Sequence, residues 1–163
     1  MADVAKHVII GDFLGELVDR IPDERINRSF LAFVLAFGTH ALMDRLENDC
    51  TPDWTRWMQD ARNAAKDAPY LTMQIGGIAA SIIALLRAKD AQERETRIAG
   101  MLGSIAPDVI DGIYSLMNKT AWERGKLLMP WHRAGRETGP RETAEQTSVL
   151  TGVLSLLRLS VRF

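Results

Sequence analysis

Cysteine is almost missing from this chain: Cys50 is the single one among 163 residues. No intramolecular disulfide is possible, a reducing compartment is expected, and with no motif around it Cys50 reads as an ordinary thiol. A charge excess is missing too. Twenty Lys and Arg stand against 21 Asp and Glu, a net charge of -1, so no basic surplus exists to neutralise phosphates and a nucleic-acid footprint is excluded. No G-x-S-x-G elbow, Walker-type loop or G-x-G-x-x-G occurs, which removes the serine-hydrolase and nucleotide-binding readings that rest on those motifs. Nothing alternates with period two, so strands are not expected. The opening "MADVAKHVIIGDFLGELVDR" meets acids and Lys6 too early for a signal peptide.

What the chain does have is helical punctuation. Asp3 is placed to cap a first helix ending near Arg20, and Ile21-Pro22 breaks it. Asp23 is the expected cap of a second helix running to about Glu47. Thr51-Pro52 opens a third, "PDWTRWMQDARNAAK". Ala68 to Leu86 carries no charge over 19 residues, the length of a bilayer span, but Pro69, Gln74 and Gly76-Gly77 dilute it and favour a central buried helix. Asp90 and Glu93 have capping-box spacing for a fifth helix, and Pro107 starts a sixth. The expected fold is all-α, a single-domain helical bundle or orthogonal array of six to seven helices. It divides into a helical core over 1–133, a loop over 134–147 and a C-terminal apolar helix over 148–163 that packs on the core or on a partner.

The three histidines carry the chemistry. At about 100° per residue, His7 shares an inward stripe with Ile10, Gly11, Leu14, Leu17 and Val18, while Asp12, Glu16 and Asp19 fall opposite. On the second helix Phe30, Phe33, Phe37, His40 and Asp44 form one seam. His40 and Asp44, four apart, can share one metal ion; equally, a core histidine can simply be satisfied by a neighbouring acid. Asp108 and Asp111 lie three apart, where they either meet a helix dipole or bind metal. His132 follows Pro130 and Trp131 at a helix-to-loop junction, where a histidine is usually just exposed.

Together "HVIIGDFLG", "FGTHALMD", "GSIAPDVID" and "PWHR" resemble the small helical bacterial metal-dependent hydrolases, often membrane-associated, that look distantly like zinc-dependent phospholipase C. The resemblance covers roughly residues 4 to 133. Thr39 stands where that group has Ser, "RLEND" follows Asp44 where relatives continue with Pro-His, and Asp111 comes one residue late. The resemblance implies His7, His40, Asp44, Asp108 and His132 as metal ligands and a divalent ion, zinc before manganese or iron. The expected activity is hydrolysis of a small-molecule or lipid phosphoester. Asp111 would orient or deprotonate the water, and Arg133 would stabilise phosphate charge. A cytoplasmic or inner-membrane-associated location follows. The rival expectation is a non-catalytic interaction, membrane-surface or oligomerisation module. It rests on the apolar C-terminal face of Val149, Leu150, Val153, Leu154, Leu157 and Val161, which could also pair two copies of the chain.

Overall fold

The computed structural model describes residues 4–46, 68–118, 128, 129 and 156, and these are helical wherever they are regular. Four helices are described: α1 (Val4–Asp19), α2 (Arg28–Leu46), α3 (Ala68–Leu86) and α4 (Ala91–Met117). The all-α expectation holds at this level. The expected third helix near residues 52–66, the loop over 134–147 and the final helix over 148–163 lie outside the described residues, apart from Leu156.

Local chemistry explains most boundaries. The side chain of Gln74 on α3 accepts from the Ala5 amide at 2.9 Å, satisfying one of the donors that a helix start leaves open. α2 begins four residues later than expected. Asn27 is its cap, its Oδ1 accepting the Phe30 amide at 3.0 Å, while Asp23 is drawn into a local turn with Arg25. That Arg25 contact holds the Asp23 carboxyl below its usual pKa. Asp90 caps α4 as expected and accepts the Glu93 amide at 2.8 Å, while Glu93 reaches back to the Lys89 amide at 2.7 Å.

Pro107 does not start a helix. It sits inside α4, fully buried, and the 27-residue helix continues past it. Its ring removes one rung of the hydrogen-bond ladder but does not end the helix, because burial against neighbours holds both halves in line. The dipole explanation for Asp108 fails with this correction, since Asp108 now lies far from the helix N-terminus.

The largest departure is in what faces inward. α1 and α4 each touch all three other helices, with α4 lying along α1 and α2, and α3 rests mainly on α1. The expected outer face of α1 is inside: Asp12, Glu16 and Asp19 are buried, and Leu17 is exposed. Each acid has a cation. Asp12 takes Arg97, Glu16 takes Arg20 at 3.0 Å, and Asp19 takes Lys89 at 2.7 Å with Arg28 at 3.8 Å. The hydrogen bond from Lys89 to Asp19 pushes the pKa of the Lys89 ammonium up. The uncharged helix α3 was expected at the centre and lies at the side. It turns Gly77, Ala80, Ser81 and Ala84 inward, and Ile75, Ile82, Ile83 and Leu86 outward, with Ile75 67% exposed. On α2 the inward stripe is Ala32, Ala36 and His40, with Phe33 and Phe37 stacked beside it at 6.3 Å and Phe30 exposed. Among the described residues, no helix is long and apolar enough to cross a membrane.

Small residues face inward because the backbones nearly touch. A methyl group built on Gly100 would run into the Gly11 carbonyl, one on Gly15 into Arg97, and one on Gly103 into the backbone of Phe33. Gly38, by contrast, has open space where a side chain would go. Opposite signs are therefore expected. Gly38→Ala should stabilise the protein by about 0.5–1 kcal/mol through the unfolded chain. Gly100→Ala should destabilise it by about 1–3 kcal/mol through overpacking. Urea melts of the two variants check the pair, and a stabilising Gly100→Ala would contradict the close contact of α1 with α4.

Candidate metal centre

Three elements bring their polar side chains to one place. His7 projects from the first half of α1, His40 from the end of α2 and Asp108 from α4 beyond Pro107. Their ligand atoms all lie within 4.8 Å of one another. The imidazoles of His7 and His40 stack with ring centroids 4.0 Å apart and planes inclined by 21°. Both rings are completely buried, and of the three residues only Asp108, with 14% of its side chain exposed, meets solvent.

The backbone sets the tautomer of His40. Its Nδ1 bonds to the Ser104 carbonyl oxygen, so Nδ1 carries the hydrogen, because a carbonyl can only accept. In the neutral ring the other nitrogen, Nε2, then presents a lone pair. It faces Asp108 Oδ1 at 3.8 Å, beyond hydrogen-bond length. A metal ion placed between the two would be held by both. This is the arrangement metal-binding histidines adopt: one nitrogen anchored to a carbonyl, the other aimed at the ion. Ser104 is held in turn by its own hydroxyl, which donates to the Met101 carbonyl at 2.7 Å.

The donor set fits a transition metal. Two imidazole nitrogens and one carboxylate suit zinc, iron or manganese and leave coordination positions open. Bonds of about 2.0–2.1 Å set two ligand atoms on a tetrahedral ion roughly 3.4 Å apart, so a pair at the 4.8 Å limit closes by roughly 1.4 Å on binding. Side-chain rotation covers that distance.

The expected ligands divide into those placed and those outside the described residues. His7 and His40 converge as their positions on either side of the Pro22 turn imply. Asp44 lies on α2 one turn past His40, but its side chain is outside the described residues, as are His132 and Arg133. Among the described side chains, the acid brought to His40 is Asp108. Asp111 is buried one turn further along α4, and its Oδ1 accepts two backbone amides, from Leu128 at 2.8 Å and Met129 at 3.0 Å. Thr39 bonds back to the carbonyls of Leu35 and Ala36, as a serine there also would. Ser104 was missed because its contribution is a carbonyl. The available signal was Pro107, which marks a helix turn with an irregular hydrogen-bond ladder. No protein-family model, no curated protein and no solved structure matches this chain, so the centre stands on its geometry.

Proposed function

We propose that this chain is a metal-dependent hydrolase acting on a phosphoester, with His7, His40 and Asp108 holding the ion. The observation that carries the reading is their convergence, with ligand atoms of all three within 4.8 Å of one another and His40 Nε2 facing Asp108 at 3.8 Å. Zinc suits the nitrogen-rich donor set best, and the resemblance to small bacterial metal hydrolases points the same way. Such an ion, when bound, supplies a water of lowered pKa and a Lewis-acid contact for a phosphoryl oxygen. The protein's own part is positional. The Ser104 carbonyl fixes the His40 ring, the stacked His7 ring keeps water from its face, and Asp108 marks the solvent side from which a substrate approaches. Asp44 and His132 are candidate further ligands, and Arg133, beside His132 in sequence, would pair with phosphate oxygens. The lone pairs of Asp111 Oδ1 are engaged by two amides, so the water-directing role expected of it has no support at that oxygen.

Elemental analysis of gently purified protein should find near-stoichiometric zinc, manganese or iron. Hydrolysis of bis(p-nitrophenyl) phosphate should vanish with chelator and return with the metal. Protein that binds none of these ions at micromolar concentration would overturn the reading.

A second reading, a membrane-surface or self-associating module, is favoured by the outward large aliphatics. They stand on α3 and also on α4, where Ile98, Leu102, Val109, Ile113 and Met117 are exposed along one side. Such faces on a monomer mark contact with another apolar surface. It is compatible with the first reading when the phosphoester is a lipid.

A further inference from the structure

Gly11, Gly15, Gly100 and Gly103 have a packing reason, since a side chain at any of them would strike a neighbouring backbone. Gly38, Gly76 and Gly112 have none: a methyl group built there meets nothing within 4 Å. Glycine inside a helix is less stable than alanine, so a glycine kept at an open position has a cost that packing does not explain. Of these three, Gly112 lies beside the metal centre. It follows Asp108 by four residues on α4, about 40° round the helix and about 6 Å along it. Gly38 precedes His40 by two residues, on the far side of α2.

Side chains on a helix lean towards its N-terminus, so each covers the turn before its own. The centre follows this rule. Asp108 faces His40 Nε2, and that ring is anchored four residues earlier, at the Ser104 carbonyl. A side chain at position 112 would likewise lean back over Asp108, the one of the three metal-centre residues that meets solvent. With glycine there, that side stays open. Round α4 the opening has two edges. Val109 and Ile113, each about half exposed, follow on one side, and Asp111, whose carboxylate holds the Leu128 and Met129 amides, stands on the other.

We propose that Gly112 is a specificity-determining residue: its missing side chain leaves room over Asp108 for the organic group of a phosphoester whose phosphate meets the ion. This rests on the metal reading and deepens it, because it assigns the substrate as an ester with a bulky group directly beside the phosphate. Gly112 offers no ligand and orients none. It sets how large a molecule can arrive.

The test uses the cobalt(II)-loaded full-length protein, whose visible absorption changes when a ligand reaches the ion. Inorganic phosphate is the compact probe and diphenyl phosphate the bulky one, with metal-free melting curves for every variant. Gly112→Leu should hold cobalt and phosphate within about threefold of the parent. It should bind diphenyl phosphate at least roughly tenfold more weakly, through a clash that only the larger probe meets. Gly112→Ala should melt slightly above the parent and lose part of the diphenyl phosphate affinity, with phosphate unaffected. Gly38→Leu, at an equally open position away from the centre, should change none of the three affinities. The proposal is overturned if Gly112→Leu takes diphenyl phosphate as readily as the parent, if it loses both anions equally, or if it loses cobalt. Should Gly112→Leu fail to fold, Gly112→Ala decides, and diphenyl phosphate binding equal to the parent's overturns the proposal. A parent that holds cobalt but takes up no diphenyl phosphate overturns it while the metal centre stands. A parent that binds no cobalt, zinc, manganese or iron overturns the hydrolase reading itself.

Discussion

Arg97→Met is expected to cost about 3–5 kcal/mol, the largest loss of stability from any single change in this protein. Asp12 is fully buried and Arg97 nearly so. The guanidinium donates Nε to Oδ1 at 2.7 Å and Nη2 to Oδ2 at 3.1 Å, a two-pronged match that a point charge cannot reproduce. Nη1 continues to Glu93 at 3.2 Å. Methionine fills much of the same volume but leaves the Asp12 carboxylate in the interior without its cation. At roughly 2–4 °C per kcal/mol for a chain of this size, the melting temperature should fall by about 6–20 °C. Adding Asp12→Leu should recover most of the loss, since removing both partners of a buried pair is often neutral. A single Arg97→Met variant within about 1 kcal/mol of the parent would show that the pair is solvated.

Asp108→Asn separates a metal centre from an ordinary buried ion pair. If an ion belongs between His40 Nε2 and Asp108, the amide supplies no charge and a poorer ligand, and affinity should drop roughly 100-fold or more, beyond the loss typical of residues that only orient ligands. The metal-free protein should lose little stability, because the carboxylate then serves chiefly to hold the ion. If Asp108 instead serves only to pair with a charged His40, the same change removes that attraction, and the metal-free protein should lose stability while metal has no effect on either form. Melting curves with and without added zinc decide the matter. At a hundredfold excess over its dissociation constant, zinc should stabilise the parent by about 2.7 kcal/mol and Asp108→Asn hardly at all.

Much of this was legible in the sequence, and the failures share a cause. α1 and α3 ended where Pro22 and the uncharged run of Ala68–Leu86 placed them, because local punctuation decides ends. That His7 and His40 meet followed from their distances to the Pro22 turn. That Asp108 joins them was implied only by the family resemblance, since it depends on the register of α4 against α1 and α2. That register is fixed by Gly11, Gly15, Gly100 and Gly103, where main chains touch, and glycine carries no hydropathy signal. The same contacts overturned the faces. Periodicity assumes that large apolar side chains seek the interior. Here small residues and paired charges occupy it, which leaves Leu17, Ile82 and Met117 outside.

The buried charges of α1 also set the order in which the chain can fold. Glu16 pairs locally with Arg20, but two other partners are remote: Asp12 and Arg97 are 85 positions apart and Asp19 and Lys89 are 70, while the α1 amide at Ala5 waits for Gln74, 69 positions on. Helical proteins usually fold quickly because their contacts are local. Here α1 leaves the ribosome well before α4, so Asp12 cannot meet Arg97 until α4 has been synthesised. An all-α chain thus acquires the long-range dependence, and the slow, synthesis-limited assembly, more familiar from β-sheet proteins.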